Sequence, residues 1–191
     1  MIYLKYSGII NSKNLLEQMK EEFLDICEIS GWQYEIIKEN FQTLTSKAKK
    51  GMFEKDYVEI DDFENEQLQV KGTDVYLEGL SISINKGVEP LNLTFDKKGQ
   101  LAAISFYTTD TVGINSKITV KKYEFMYYPY IKIYTGNYDT HKKMVKILDY
   151  VKKKYIKNLE VIDTSFYWDN RDEENLIIKF WKERKNKQIT R

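Results

Sequence analysis

The sequence predicts an α+β fold: a mostly antiparallel central sheet, with a β-meander in its middle and three helices packed on it, formed by residues 1–191 as a single domain. Three observations carry this expectation. The middle of the chain alternates apolar and polar residues between turn signals. A strand–cap–helix–strand passage stands on either side of that middle. A further amphipathic segment follows near the C-terminus.

The first strand is expected from Ile2 to Ile9, with Ile2, Leu4 and Tyr6 on one face and Tyr3 and Lys5 on the other. Asn11 and Ser12 suit a helix N-cap. From Lys13 to Ser30, Leu15, Leu16, Met19, Phe23, Ile26 and Cys27 recur at three- and four-residue steps, the mark of an amphipathic helix. Gly31 is placed to end it, and Trp32, Tyr34 and Ile36 then alternate as a strand. Thr43 to Thr73 holds an acidic run from Glu54 to Glu66, with a short strand expected over Tyr57–Ile60. A connection of that length points to function, mobility or a small hidden element.

The meander comes next. Leu80, Ile82 and Ile84 alternate before Asn85-Lys86-Gly87; Leu91, Leu93 and Phe95 alternate before Asp96-Lys97-Lys98-Gly99; Leu101 to Tyr107 follows. Asn and Asp open such turns, and Gly accepts the positive φ. Ile118 to Val120 and Tyr123 to Tyr134 extend the β region, broken at Pro129.

The opening pattern then returns about 128 positions on, with Ile131-Lys132-Ile133-Tyr134-Thr135-Gly136 matching Leu4-Lys5-Tyr6-Ser7-Gly8 in character. Asp139-Thr140 reads as the cap of a helix from Thr140 to Ile156, which presents Met144, Ile147, Leu148, Val151 and Tyr155 to a core; Leu159 to Ile162 reads as the strand after it. The two strand–helix–strand units would make a pseudo-twofold repeat, although residue identity between them is thin. The last helix is expected from Asn170, with Asn170 and Glu173 at capping-box spacing. Leu176, Ile177, Phe180 and Trp181 form its apolar stripe, and a basic tail from Lys182 to Arg191 is expected to fray.

Composition removes several function classes. Thirty Lys and Arg almost cancel 29 Asp and Glu, so bulk charge demands neither nucleic acid nor an anionic membrane. Cys27 is the single cysteine, which excludes an internal disulfide framework. The start shows no signal-peptide pattern, and no window approaches the ~18 apolar residues of a membrane span. The expected location is the cytoplasm, with no membrane partner.

No catalytic motif is found, so activity as an enzyme is not the favoured expectation. His141 is the only histidine, which removes the common two-histidine metal sites. Asp139, its neighbour in sequence, reads more simply as a cap. Cys27 lies on the apolar stripe and is expected buried, not nucleophilic. Serine has no G-x-S-x-G setting, and the glycines form no phosphate loop. The carboxylates Asp169, Asp172, Glu173 and Glu174 fit the first turn of a helix as well as they fit a cation. No metal and no cofactor is expected.

The aromatic residues are the more informative feature. Tyr123, Phe125, Tyr127, Tyr128, Tyr130 and Tyr134 crowd one β segment, and Phe166-Tyr167-Trp168 adds a second cluster. Alternation sends about half of such a run to each face of a sheet. Exposed amphipathic rings suit a binding surface. The expected ligand-binding residues are therefore Tyr123, Tyr127, Tyr128, Tyr130 and Trp168, contacting a protein partner or a small ligand. The plain alternative is cross-strand pairing and core filling.

Two other functions are open. Residues 140–191 carry 14 Lys and Arg against 8 Asp and Glu, and Lys142, Lys143, Lys146, Lys152, Lys153, Lys154 and Lys157 crowd one helix. Single-stranded nucleic acid could follow the basic helix 140–157. An enzyme with an unfamiliar site would draw on Asp163, Asp169 and His141.

Overall fold

The computed structural model describes residues 2–40, 76–112 and 119–189, with their side chains except those of 39–40, 105–126 and 187–189. The acidic run Glu54–Glu66 and the strand expected over Tyr57–Ile60 lie outside the described residues. In chain order the elements are β1 (Tyr3–Ser7), α1 (Lys13–Ser30), β2 (Gln33–Asn40), β3 (Tyr76–Ser83), β4 (Leu91–Phe95), β5 (Ala103–Val112), β6 (Thr119–Tyr128), β7 (Ile131–Tyr134), α2 (Tyr138–Lys154), β8 (Glu160–Asp163), α3 (Tyr167–Asn170) and α4 (Glu173–Ile189). The fold is α+β, and every described strand pair is antiparallel.

Capping chemistry sets the helix ends. Ser12 accepts the Leu15 amide at 3.1 Å, and Gly31, at φ 65°, closes α1 while the Trp32 amide donates to the Cys27 carbonyl at 2.9 Å. The buried face of α1 is Leu16, Met19, Phe23 and Cys27. For α2 the cap is Asn137 and not Asp139: its extended backbone lets its side chain accept the Thr140 amide at 2.9 Å. For α4 the cap is Asp172, which accepts the Asn175 amide at 3.0 Å, and Asn170 instead accepts from Asp172. The described helices number four, the extra one being the single turn α3. The basic segment after Lys182 does not fray at once but stays helical to Ile189.

The described strands form three sheets, ordered β7-β1-β8, β2-β3-β4 and β5-β6. The meander is present in β2-β3-β4, where Leu80 and Ile82 face Leu93 and Leu91. Its expected last strand departs after one bridge, Phe95 to Leu101, and β5 pairs with β6 over ten residues instead. The departing segment forms a seam between the first two sheets: the Leu101 amide donates to the Gly8 carbonyl at 2.8 Å, and the Ala102 amide to the Thr94 carbonyl at 2.9 Å. Gly79 sits in β3 where an added Cβ would lie 1.9 Å from the Leu93 carbonyl oxygen, so the approach of β4 requires glycine.

The order strand–helix–strand recurs, but its pairing does not. β8 returns beside β1, whereas β2 pairs with β3. One core joins the layers: Leu4, Tyr6, Leu80, Leu93 and Phe95 from the strands meet Met19 and Phe23 of α1, Met144 and Leu148 of α2, and Leu176 and Phe180 of α4. The Tyr6 hydroxyl ties β1 to β4 through the Asn92 carbonyl at 2.7 Å. Ile177 and Trp181, expected in the apolar stripe of α4, are instead 46% and 55% exposed. Only Leu176 and Phe180 of that stripe reach the core, because α4 rests on it along a narrow line.

Candidate binding surface

Alternation along β1 and β7 buries Leu4, Tyr6, Ile131 and Ile133 and turns Tyr3, Lys5, Lys132 and Tyr134 outward. The register places Tyr3 opposite Tyr134 and Lys5 opposite Lys132. On the other side of Lys5 stands Ile162 of β8, 58% exposed. The long described helices contribute to the core, and on this outer face Lys132, Glu160 and Ile162 are exposed while Tyr3, Lys5 and Tyr134 are half-buried.

The face is organised by rings and cations. Tyr3 and Tyr134 meet edge-on with centroids 6.0 Å apart. The Lys132 ammonium lies 4.2 Å from the Tyr3 ring centre, and the Lys5 ammonium lies 4.0 Å from that of Tyr130. Among the described residues no carboxylate pairs with Lys5 or Lys132. Carboxylates border the face: Glu160 of β8 is exposed opposite Ser7, Glu89 accepts the Tyr134 amide at 2.7 Å and Glu183 accepts the Ile2 amide at 3.1 Å.

The residues singled out from sequence separate into two groups. Tyr128 and Tyr130 are half-buried and touch, with centroids 5.5 Å apart. Tyr127 is 39% exposed and donates to Asp96 at 2.8 Å; burial first, then that carboxylate, pushes its phenol above the ordinary range. Tyr123 pairs with Thr108 through the backbone, and its side chain lies outside the described ones. Trp168 stands apart. It follows β8, whose end lies by Leu4, whereas Tyr130 precedes Ile131, which lies opposite Tyr6. The two rings therefore flank opposite ends of the sheet. Trp168 is half-buried and has Arg171 5.0 Å and Lys152 5.7 Å from its ring centre. Tyr3, Lys5, Lys132 and Tyr134 were not among the expected site residues, although the alternation in both strands already set Tyr3 and Lys5 apart from Leu4 and Tyr6.

Three of the seven lysines of the basic stretch 140–157 are paired with carboxylates of the chain itself. Lys142 pairs with Glu173 at 2.7 Å, Lys153 with Asp149 at 2.6 Å and Lys154 with Glu22 at 2.7 Å. Burial alone would raise the Glu22 carboxyl, but bonds from Lys154, Tyr150 and Tyr155 hold it down at about 2. Lys143 and Lys146 border an apolar groove of about 200 Å³ lined by Phe23, Ile26, Trp32, Ile147 and Tyr150.

His141 is fully buried, and its partner is Asp163 rather than Asp139. Its Nε2 lies 3.0 Å from Asp163 Oδ2 and 3.0 Å from Ser165 Oγ, and its Nδ1 lies 2.9 Å from Thr135 Oγ1. The Asp163 carboxylate also accepts the Ser165 amide at 2.7 Å, the Ser165 hydroxyl at 2.8 Å and the Trp168 amide at 2.9 Å. An imidazole protonated at Nε2 satisfies every atom: Nε2–H donates to Asp163, and Nδ1 accepts from Thr135. A serine nucleophile needs its base free to take the hydroxyl proton and its carboxylate on the other imidazole nitrogen. Here the carboxylate engages that same nitrogen and takes the serine proton as well. Burial opposes the Asp163 charge, yet His141 and Ser165 keep its carboxyl below the ordinary value. This is a structural network. Asp169, the third residue considered for an enzyme, is exposed outside it.

A cleft of about 400 Å³ opens beside the start of α1, between Ser12, Leu16, Tyr76, Glu78 and Lys98. Glu78 accepts from Lys20 at 2.8 Å and from the Tyr76 hydroxyl at 2.7 Å. Against the pull of burial, those partners lower the Glu78 carboxyl; burial and Glu78 raise the Tyr76 phenol to about 12. Both shifts lead away from neutral pH. Cys27 is fully buried, and burial pushes its thiol up. Among the described residues no group of three or more His, Cys, Asp or Glu side chains could hold a metal ion, and no helix is long and apolar enough to cross a membrane.

No family model, no curated protein and no solved structure matches this chain.

Proposed function

We propose that this chain is a binding protein that meets its ligand on the outer face of the β7-β1-β8 sheet, extended by Tyr130 and its neighbour Tyr128; Tyr127, next to Tyr128 in β6, turns to the other side and meets Asp96. The observation that carries the reading is the row of outward rings and lysines, Tyr3, Lys5, Tyr130, Lys132 and Tyr134, in which the lysines have no carboxylate partner among the described residues. Large amphipathic rings beside cations form contact surfaces at little cost in side-chain entropy. Trp168, with Arg171, belongs to a separate and smaller patch. Tyr123 continues the β strand that leads into the face. The internal ion pairs of Lys142, Lys153 and Lys154 speak against nucleic acid running along helix 140–157.

The test is differential capture. The immobilised native chain and a Tyr3→Ala/Tyr130→Ala variant with an unchanged melting curve are exposed to the same cell extract, and bound proteins, nucleic acids and small molecules are quantified. A ligand retained by the native chain and lost from the variant supports the reading. Identical captures by the two proteins would refute it.

A further inference from the structure

We propose that the outer face of β7-β1-β8 is a platform for single-stranded nucleic acid; this rests on the reading of that face as the binding surface. The first observation is electrostatic. Lys5 and Lys132 stand directly opposite each other, and like charges so placed disfavour the pairing that brings them together. Among the described residues no carboxylate forms an ion pair with either; the Lys5 ammonium lies over the Tyr130 ring and the Lys132 ammonium over those of Tyr3 and Tyr134. A bound anion would relieve this repulsion.

The second observation is spacing. Outward residues recur every second position, so successive rows along the strands lie about 7 Å apart. The rows read Tyr3 with Tyr134, then Lys5 with Lys132, then Tyr130. Rings, cations and a ring in sequence suit alternating bases and phosphates of an extended single strand, in which bases stack on aromatic faces and lysines follow the backbone. An acidic peptide would satisfy the lysines but leave the rings without planar partners.

The third observation concerns selectivity. The strands β1, β7 and β8 carry no Asn, Gln or Arg, the side chains that read base edges in pairs of hydrogen bonds. Ile162 adds apolar contact alone. Binding is therefore sequence-tolerant, short in site size and carried by stacking and charge. Glu160 marks the edge of the face, and the strand passes on the Lys132 side of it.

The experiment is fluorescence anisotropy with labelled oligo-dT and oligo-U of about ten nucleotides, titrated with the full chain across a range of salt. Two phosphate contacts predict that the logarithm of affinity falls against that of salt with a slope of about −1.4. Lys5→Gln/Lys132→Gln should flatten that slope, and Tyr3→Ala should weaken binding about tenfold. Lys143→Gln/Lys146→Gln should change neither, and melting curves confirm that each variant folds. DNA and RNA probes that bind alike indicate stacking and phosphate alone; a preference for oligo-U adds a contact to the 2′-hydroxyl, and both results support the platform. Absence of binding by both probes overturns the inference, as does a slope unchanged in folded Lys5→Gln/Lys132→Gln or lost in the helix variant. If neither probe binds while capture still depends on Tyr3 and Tyr130, the nucleic-acid inference falls and the binding surface stands. If capture is also indifferent to those rings, both fall.

Discussion

Replacing Asp163 by Ala should be among the most damaging changes available to this chain. The carboxylate accepts from the Ser165 amide, the Ser165 hydroxyl, the Trp168 amide and His141 Nε2, at 2.7–3.0 Å, and is itself buried. Alanine removes the acceptor that these donors share, although His141 Nε2 keeps Ser165 Oγ within reach at 3.0 Å. Each orphaned buried group costs about 1–3 kcal/mol, and the terms do not simply add because the donors share one cavity. The orphaned amides and hydroxyl together set the expected loss at about 3 kcal/mol. Asp163→Asn keeps one acceptor oxygen and should cost about 2 kcal/mol. Urea unfolding at neutral pH, read by tryptophan fluorescence and far-UV circular dichroism, measures both values. Acid supplies a second readout. A carboxyl held below its ordinary value of about 3.9 adds stability above that value, and this part is lost as pH falls through the lower folded-state value. The gap between the native chain and Asp163→Ala should therefore narrow as pH falls below the ordinary carboxylate range. A neutral-pH loss under about 1 kcal/mol, or a gap that stays constant into acid, would refute the reasoning.

Two further changes probe the core. Gly79→Ala drives a Cβ to within 1.9 Å of the Leu93 carbonyl oxygen, so β3 and β4 must separate. A loss of about 3 kcal/mol or more is expected in the same unfolding assay, and a native-like midpoint would contradict the strand approach. Cys27→Ser places a hydroxyl in an apolar site and should cost about 1–3 kcal/mol. The native thiol, buried and pushed up, should react with a bulky thiol reagent only as fast as the chain opens; rapid labelling under native conditions would show it exposed.

Local patterns were the legible part of this fold. The steps from Leu16 to Cys27 gave the buried face of α1, and Ser12 and Gly31 marked its ends as capping chemistry requires. Competing cap residues were harder: Asn137 and Asp139 have equal chemistry on paper, and only the extended backbone at Asn137 decides between them. Asp172 displaced Asn170 for the same kind of reason. The stripe of α4 was overread, because a period of apolar residues does not say how wide a strip the neighbouring core offers.

Long-range pairing was the part that stayed hidden. Tyr3 and Lys5 were visibly on the polar face of their strand, but that Tyr134 and Lys132 stand beside them depends on β1 pairing with β7, on the far side of the meander. The same holds for His141, whose partner Asp163 comes from the strand after its helix, not from the adjacent cap. Crowding of aromatics drew attention to Tyr127, Tyr128 and Tyr130. Density along the chain has no information about which end of a sheet a ring occupies, so Trp168 was grouped with rings that lie at the other end.

Lysine footprinting addresses the binding face most directly. The chain is treated with a brief pulse of an acetylating reagent, free and after loading with whatever ligand it retains from cell extract, and modification is quantified at each lysine. Lys5 and Lys132 should be protected on loading, while Lys143 and Lys146 on the opposite, helical side should react equally in both states. Protection at Lys143 and Lys146 with Lys5 and Lys132 unchanged would place the ligand on the helices and contradict the assignment of the outer sheet face.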